Sequence, residues 1–373
     1  MISVFGNSFD DKDVAALKEV LDSHLVGMGA VTEKFEQEFA KKIGFAHGIA
    51  TNSCTNSFWL IFKALGLGPK DQVIIPNIHF FGVKNVLDLF QVQTVIVDVD
   101  SQVPNLNLTT LKKHLHLETK AIIFLEYGGY PLDLKSIKNY LHKIGRTDIK
   151  LILDAANSPF TKFNGKYTAL DYDIAAYSFD MNKILVVGDG GMILAHDPEL
   201  AQKLKSLSYY GIKDLHASGF AKSKEKDVWW ELEIGEPSLK LPMNNLNAAL
   251  GLSQLAKIEE FLSKRLQVVK QYRKGLQCLN QYLDLPPEND EVENDVYLFW
   301  LRLRDSRKRN PLAKHLLTNG IYNTVKYQPL DPQAKTPHAL DFYQRSLCLP
   351  LNQNLNSETV AYIIKQLKNF FKS

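Results

Sequence analysis

The sequence predicts an α/β fold built on a mostly parallel sheet. Short, almost wholly apolar runs occur at 73–75, 94–98, 121–125 and 150–153. Such runs are typical of strands that are buried on both faces of a sheet. Longer segments with apolar residues at helical spacing separate them, and this alternation indicates βαβ units. The length, 373 residues, suggests about two domains.

Helices are predicted before and between these strands. Apolar residues recur at helical spacing in 13–22 and 32–43, ahead of the first strand. The segments between the strands predict further helices at 80–90, 109–117 and 134–144. Helices placed in this way would cover both faces of the sheet.

The pattern changes after residue 250. Residues 253–280 predict one long amphipathic helix, and the PPEND break that follows leads to a predicted strand at 296–303. A last helix is predicted at 357–371. We therefore expect a large α/β domain over 1–250 and a smaller α+β domain over 251–373.

Charge and cysteine content exclude several classes of protein. The 44 Lys and Arg residues nearly balance the 41 Asp and Glu residues, which does not favour a nucleic-acid or anionic-membrane partner. The sequence contains no run of 18 apolar residues, so it predicts no membrane-spanning helix. Cys54, Cys278 and Cys348 lie too far apart to indicate a zinc site or a disulfide framework. With no signal peptide at the N-terminus, these features favour the cytoplasm.

One candidate site residue, Asp154, ends the apolar run KLILD. Ligands of open α/β sheets bind outside the carboxyl ends of the strands. A carboxylate there can cap the next turn, or it can face a protonated nitrogen of a ligand. Sequence position alone leaves both interpretations open.

A second candidate is Lys183, which precedes four apolar residues, 184–187. Partial burial disfavours a charged ammonium, and a neutral lysine amine can attack a carbonyl to form a Schiff base. The G-D-G-G sequence that follows contains Asp189 and is interpreted as a hairpin turn.

A third candidate is the polar cluster TNSCTNS, which precedes an apolar helix within residues 51–66. Cys54, Thr55 and Asn56 lie in it, and it predicts either a plain helix cap or a phosphate site at a helix N-terminus. A strand-end acid, a partly buried lysine and a phosphate site together suggest pyridoxal 5'-phosphate (PLP), which needs all three.

The whole chain resembles the PLP-dependent sugar aminotransferases of the DegT/StrS type, which have PLP-transferase fold type I. The resemblance covers ordered motifs from end to end. They are HLVGMGAVTEKFEQEFAKKIGFAHGIA (24–50), LGLGPKDQVIIPNIHFFGVKNVL (65–87), DVDSQVPNLNLTTL (98–111), YGGYPLDL (127–134), NNLNAALGLSQL (244–255), VKYQPL (325–330) and LCLPL (347–351).

The resemblance implies a role for each matching residue. Lys183, in S-F-D-M-N-K, matches the lysine that binds the cofactor covalently and moves the proton. Asp154, in D-A-A-N, matches the acid that keeps the pyridine nitrogen protonated. Asn157 falls where the family usually has Gln or His near the ring hydroxyl, and Ser178 and Thr55 match phosphate-binding hydroxyls.

Near the ring, Phe80 matches the aromatic residue that stacks on the pyridine, and His79 lies beside it. Three positions depart from the family pattern. Cys54 replaces the usual Gly, Asp180 replaces the usual His, and Lys240, in K-L-P-M, stands where an Asn reaches the phosphate of the other subunit. Asn244 and Asn245 are alternatives for that contact.

The function implied is amino transfer from an amino acid, by analogy glutamate, to a keto sugar on a nucleoside diphosphate. A homodimer with shared active sites is also implied. A cyclitol or another non-nucleotide keto acceptor, and a non-catalytic regulatory homologue, are the alternatives. Specificity would depend on the small domain and on the loop 209–240, which contains Trp229, Trp230 and Glu231.

Overall fold

The computed structural model describes residues 1–213, 215–217, 220–221, 232–288, 291–293 and 297–372. Trp229, Trp230 and Glu231 lie outside the described residues. The helices, numbered in chain order, are α1 (Asp11–Asp22), α2 (Ala30–Ile43), α3 (Cys54–Ala64), α4 (Phe81–Leu89), α5 (Leu108–Leu111), α6 (Leu134–Lys143), α7 (Pro198–Ser208), α8 (Asn245–Ala256), α9 (Ile258–Leu276), α10 (Arg309–Thr318), α11 (Pro337–Arg345) and α12 (Ser357–Lys372).

The strands are numbered in the same way. They are β1 (His47–Thr51), β2 (Gln72–Pro76), β3 (Gln93–Val97), β4 (Thr119–Leu125), β5 (Lys150–Asp154), β6 (Lys162–Phe163), β7 (Lys166–Tyr167), β8 (Ile174–Ser178), β9 (Gly191–Ala195), β10 (Leu215–Ala217), β11 (Phe220–Ala221), β12 (Leu283–Asp284), β13 (Val292–Glu293), β14 (Phe299–Leu303) and β15 (Ser346–Leu349).

A seven-stranded sheet forms the centre of the molecule, in the order β1-β9-β8-β5-β4-β2-β3. β9 runs antiparallel to both of its neighbours, and the other strands run parallel to one another. The register pairs Asp154, the last residue of β5, with Leu125 of β4 and Ala176 of β8. The predicted α/β fold with a mostly parallel sheet is confirmed.

Alternate residues of each strand enter two different cores. Ile74, Ile122 and Leu153 pack on one face, in a core that includes residues of α2 and α6. Val73 and Ile152 pack on the other face, against α3, α4 and α7. Because both faces are buried, the strands need the continuous apolar runs from which they were predicted.

The predicted helix over 253–280 is wrong as a single element. α8 ends at Ala256 and α9 begins at Ile258, with a break at Lys257 (φ −100°, ψ 0°). The break lets α8 pack on α1 and α2 while α9 packs on α12. The Lys257 ammonium, 2.5 Å from a carboxylate oxygen of Asp13, ties the break to α1.

The predicted helix over 109–117 is also too long, since α5 covers Leu108–Leu111 and turns follow it. The apolar spacing continues to Leu115, which packs against the core although the chain has left the helix, while Leu117 is exposed. Within the described ranges, no helix combines the length and the apolar character needed to cross a membrane.

A third core lies among β14, β15, α9, α10 and α12. The first residues of the chain contribute to it, because Ile2 bridges to Ile321 and the Leu351 N–H donates to the Val4 carbonyl at 3.1 Å. The division of the chain into 1–250 and 251–373 remains a prediction, and residue 250 lies inside α8.

One carboxyl group is buried in the core without a cation. Glu126 follows β4, is 1% exposed, and accepts hydrogen bonds from the Thr168 and Tyr172 hydroxyls at 2.7 and 3.1 Å. Among the described residues, no lysine or arginine lies within ion-pair distance of it. Burial raises the pKa of Glu126 from 4.5 to about 7.

The buried Glu126 carboxyl predicts that the free energy of unfolding decreases as pH rises. The folded protein holds the Glu126 proton more tightly than the unfolded chain, so its contribution is favourable at pH 4.5 and is lost as pH rises through about 7. At 1.4 kcal/mol per unit of pKa, the loss approaches about 3 kcal/mol. Glu126→Gln should therefore gain stability relative to the parent between pH 5 and pH 8.5, measured by urea unfolding.

Glu19→Gln, on the exposed face of α1, is the matched control and should follow the parent at both pH values. Equal unfolding free energies for Glu126→Gln and the parent across this range would contradict the prediction.

Candidate active site

Polar residues meet where the parallel strands of the sheet end. β5 ends at Asp154, β8 ends at Ser178, and α3 begins at Cys54 after β1. These ends border a cavity of about 400 Å³. Six of the predicted site residues line it: Cys54, Thr55, Phe80, Asp154, Ser178 and Lys183.

A tight turn between β8 and β9 presents Lys183. The Asp180 carboxylate accepts hydrogen bonds from the backbone and side-chain nitrogens of Asn182, at 2.9 and 3.0 Å. The Asp180 carbonyl accepts the Lys183 N–H at 2.9 Å. The apolar residues 184–187 are buried and anchor the turn. Asp180, the departure from the family's His, therefore acts as the cap of this turn.

The Lys183 amine contacts two neutral oxygens. Nζ lies 2.9 Å from the Ala156 carbonyl and 3.2 Å from the Tyr297 hydroxyl. No carboxylate in the described part of the chain is within ion-pair distance of it. An amine held by neutral partners has no ion pair to break before it attacks a carbonyl.

Asp154 is 3% exposed and has a histidine behind it. Its Oδ1 accepts the Ala156 N–H at 3.0 Å, and its Oδ2 lies 3.4 Å from Nε2 of buried His79. The other ring nitrogen of His79 lies 3.2 Å from the Phe80 carbonyl. Burial lowers the pKa of His79, so the neutral ring has one N–H for these two acceptors. Asp154 thus has a neutral ring behind it and faces the cavity, where it can accept from a donor.

The start of α3 is suited to an anion. Ser53 caps the helix by accepting the Asn56 N–H at 3.1 Å, and other first-turn N–H groups have no partner inside the helix. The Thr55 and Ser178 residues line the cavity nearby. Burial raises the pKa of Cys54, which keeps the thiol neutral and avoids repulsion of a bound anion.

Phe80 presents an aromatic face to the cavity. It is 40% exposed, and its ring centroid lies 4.6 Å from that of Phe81 and 6.1 Å from that of Tyr327. A Cβ at Gly82 would lie 2.6 Å from the Phe80 ring. The glycine is therefore required for this ring position.

The C-terminal part of the chain supplies a wall of the cavity that the sequence did not predict. Tyr297, Lys326 and Tyr327 line it. The buried Asn77 side chain, just beyond β2, accepts the Asp331 N–H at 2.9 Å and donates to the Asp331 carbonyl and the Thr336 hydroxyl. These bonds hold the segment that carries Tyr327. The resemblance of VKYQPL (325–330) to a family motif is the sequence signal that marks this segment.

Three predicted residues do not line the cavity. Asn157 is buried and donates from Nδ2 to the Tyr327 hydroxyl at 3.1 Å, while its Oδ1 has no partner among the described residues. The Asn56 amide bonds to Asn52 at 2.7 Å. Lys240 is exposed, with Nζ 5.4 Å from the Tyr209 ring centroid. The proposed cofactor contacts of all three remain predictions.

The arrangement fits the cofactor that the sequence suggested. A free amine, a buried carboxylate, an aromatic face and an anion-binding helix start lie around one cavity. The unpartnered Asn157 Oδ1 leaves a polar atom for a ring substituent. Asp189, exposed at the cavity edge, follows Gly188 (φ 93°) in a bend just before β9. The connection between the antiparallel strands β8 and β9 spans residues 179–190, so G-D-G-G is its last part and not a hairpin turn by itself.

Comparison with known proteins identifies the relatives of this chain. The sequence profile of the DegT/DnrJ/EryC1/StrS aminotransferase family matches residues 7–368. The chain is 32% identical to a dTDP-4-dehydro-2,3,6-trideoxy-D-glucose 4-aminotransferase of Saccharopolyspora spinosa over 376 residues, covering 99% of this chain and 96% of the relative.

Solved structures agree. The aminotransferase TlmJ from Streptoalloteichus hindustanus superposes with a TM-score of 0.91 at 30% identity, over 100% of this chain and 99% of that one. The candidate sugar aminotransferase Spr1654 from Streptococcus pneumoniae, in its PMP form, gives a TM-score of 0.92 at 23% identity over 100% and 99%. The latter likeness establishes the fold.

The hydrogen bonds of Asn77 predict that a substitution at this residue destabilises the C-terminal wall of the cavity, although Asn77 does not line the cavity itself. Asn77→Ala leaves partly buried backbone groups of Asp331 and the buried Thr336 hydroxyl without their partner, so we expect a loss of about 2–4 kcal/mol in unfolding free energy. Weaker cofactor binding should accompany it, because Tyr327 in the cavity wall loses its support. Denaturant unfolding and a PLP absorbance titration measure the two effects.

Thr336→Val removes a single member of the same network and should cost about 1 kcal/mol. Losses of equal size for the two variants would contradict the central role of Asn77.

Proposed function

We propose that this chain, which belongs to the DegT/DnrJ/EryC1/StrS aminotransferase family, transfers an amino group from glutamate to a keto sugar carried on a nucleoside diphosphate. Its membership makes the protein a sugar aminotransferase; the donor and the nucleotide are the proposed part. One observation carries the proposal: the Lys183 amine, held by neutral oxygens, shares a cavity with the buried Asp154 carboxylate.

The proposed cofactor is PLP, which when bound supplies an electron sink for the negative charge left at the substrate carbon. Lys183 would hold its aldehyde carbon and Asp154 its pyridine nitrogen. Phe80 would lie against the ring, and Thr55, Ser178 and the start of α3 would bind the phosphate. The neutral Cys54 thiol leaves that anion site without a competing negative charge.

Lys183 would also move the proton between substrate and cofactor carbons. For this task the amine must return to one position after each turnover. The Ala156 carbonyl and the Tyr297 hydroxyl supply that position, at 2.9 and 3.2 Å. Asp154 is covered by buried His79, which shields its far side from water and leaves the side toward the cavity for the ring nitrogen.

The acceptor is proposed from size and from relatives. A cavity of about 400 Å³ holds the cofactor with little more than a sugar ring, so a nucleotide would extend beyond it. The Saccharopolyspora spinosa relative is named for a dTDP-linked keto sugar. A Bacillus subtilis relative, 26% identical, is named for spore coat polysaccharide biosynthesis, and we propose amino-sugar synthesis for surface polysaccharide as the purpose here.

A homodimer in the cytoplasm completes the proposal. Phe81 and Met181 follow cavity-lining residues in sequence and are exposed, as are Tyr210 and Leu239 beside Lys240. Large exposed apolar residues near a site favour a protein interface.

The proposed compartment is the cytoplasm. Cys54, Cys278 and Cys348 are unpaired, as in a reducing compartment.

The donor half of the reaction can be tested by absorption spectroscopy. The PLP-loaded protein should be yellow, and L-glutamate should remove that absorbance as the amino group is taken up. Lys183→Ala should lack the parent spectrum because no amine binds the cofactor. Spectra with and without L-glutamate measure both effects.

Lys143→Ala, at the exposed end of α6, is the matched lysine control and should behave as the parent does. A colourless parent protein that takes up no PLP would refute the aminotransferase proposal and favour a non-catalytic homologue. Bleaching by glutamate without turnover of any nucleotide-linked keto sugar would favour a cyclitol or another acceptor.

Shared sites predict complementation between variants. If Lys240 acts in the partner's site, Lys183→Ala and Lys240→Ala are each impaired as homodimers. A heterodimer of the two has one site with both lysines, so random mixing should restore about a quarter of the parent activity. Activity assayed after joint refolding measures this, and no recovery would contradict a contact across the dimer.

A further inference from the structure

We propose that Lys326 binds the α-carboxylate of the amino donor. The inference rests on the proposed aminotransferase function and assigns the donor-recognition residue within it. Lys183 and Lys326 are the lysines of the cavity wall, and no arginine lines it. Lys183 is committed to the cofactor, so Lys326 is the cavity cation left for an anionic substrate group.

The Lys326 ammonium has no carboxylate partner. Among the described residues, none lies within ion-pair distance of its Nζ. Two of the cavity carboxylates have other contacts: Asp180 accepts from both nitrogens of Asn182, and Asp154 accepts the Ala156 N–H and lies beside His79. A cation in a cleft that has no counter-ion among the described residues attracts an anion from solution.

Aromatic rings hold this ammonium without neutralising it. Nζ lies 4.7 Å from the Phe5 ring centroid and 5.5 Å from the Tyr327 ring centroid. Cation–π contacts favour a fixed position and leave the positive charge available to an anion. The backbone is also fixed, because the Tyr127 hydroxyl donates to the Lys326 carbonyl and Cys348 pairs with Thr324.

The ammonium shares the cavity with the reacting amine, and Tyr297 lies next to both groups. The Lys326 Nζ lies 4.7 Å from the Phe5 ring centroid, and the Phe5 ring stacks on the Tyr297 ring with 6.0 Å between centroids. The Tyr297 hydroxyl lies 3.2 Å from the Lys183 amine. A donor's nitrogen must reach the place of that amine, and its α-carboxylate is two bonds away.

The other anions of the reaction fit this lysine less well. The cofactor phosphate has the start of α3, Thr55 and Ser178, whereas Lys326 belongs to the wall that Tyr297 and Tyr327 also form. The diphosphate of a nucleotide sugar lies beyond the sugar and outside a cavity of this size. The α-carboxylate is the anion that accompanies the reacting nitrogen.

Three amino donors separate the carboxylates chemically. L-Glutamate carries both, 4-aminobutanoate lacks the α-carboxylate, and L-2-aminobutanoate lacks the γ-carboxylate. The PLP-loaded parent, Lys326→Gln, Lys326→Arg and the exposed control Lys335→Gln are compared with each donor by single-turnover absorbance change. An equilibrium measurement uses 2-methyl-L-glutamate, which has no α-hydrogen to lose, and takes its dissociation constant from the spectral shift.

Loss of a charge-assisted hydrogen bond predicts a decrease of about 10- to 100-fold. Lys326→Gln should show it with L-glutamate, with L-2-aminobutanoate and in the 2-methyl-L-glutamate dissociation constant. With 4-aminobutanoate it should remain within about twofold of the parent, because the contact is absent there. Lys326→Arg should recover most of the loss, and Lys335→Gln should equal the parent.

Several outcomes would overturn the proposal. An equal loss with all three donors would indicate a general disturbance of the site. We expect Lys326→Gln to keep the PLP absorbance and the thermal midpoint of the parent, and these two measurements check that the variant is intact. A loss confined to L-glutamate and 4-aminobutanoate assigns Lys326 to the γ-carboxylate. If Lys326→Gln reacts with all donors as the parent does but binds dTDP more weakly, Lys326 is assigned to the nucleotide. A parent protein that reacts with no amino acid refutes the proposed function instead.

Discussion

Burial of both faces of the central sheet is the constraint from which the rest of the molecule follows. Alternate side chains of the parallel strands enter separate cores, so neither face has room for a polar ligand group. Polar residues are confined to the strand ends, where the backbone leaves the sheet. Asp154 and Ser178 therefore meet the start of α3 at one edge. Ligands of open α/β sheets bind at such an edge.

That edge is incomplete without the C-terminal part of the chain. Tyr297 reaches the Lys183 amine, Tyr327 bonds to Asn157, and Lys326 brings a cation to the same cavity. Asn77 joins the two parts through its bonds to Asp331 and Thr336. Positioning of the amine thus depends on contacts between residues more than 100 positions apart in the chain.

The charges of the cavity differ in how they are balanced. Asp154 and Asp180 are fixed by N–H donors, and Lys183 is held by neutral oxygens. Lys326 is held by aromatic rings, and no carboxylate in the described segments pairs with it. Buried Glu126 lies outside the cavity and is tolerated as a protonated acid, since burial raises its pKa to about 7. A cavity with available charge of both signs suits a substrate that is a zwitterion.

The sequence by itself determined the sheet class and most of the strand-end chemistry. Continuous apolar runs identify buried parallel strands, and Asp154, Ser178, Thr55, Phe80 and Lys183 lie in local motifs that a chain pattern can reveal. The break at Lys257 was missed, because helical spacing continues across it while α8 and α9 pack on different neighbours. Tertiary structure alone decided the roles of Tyr297, Lys326 and Asn77. Their contacts with the site are long-range, and no local periodicity records which distant residues meet at a strand end.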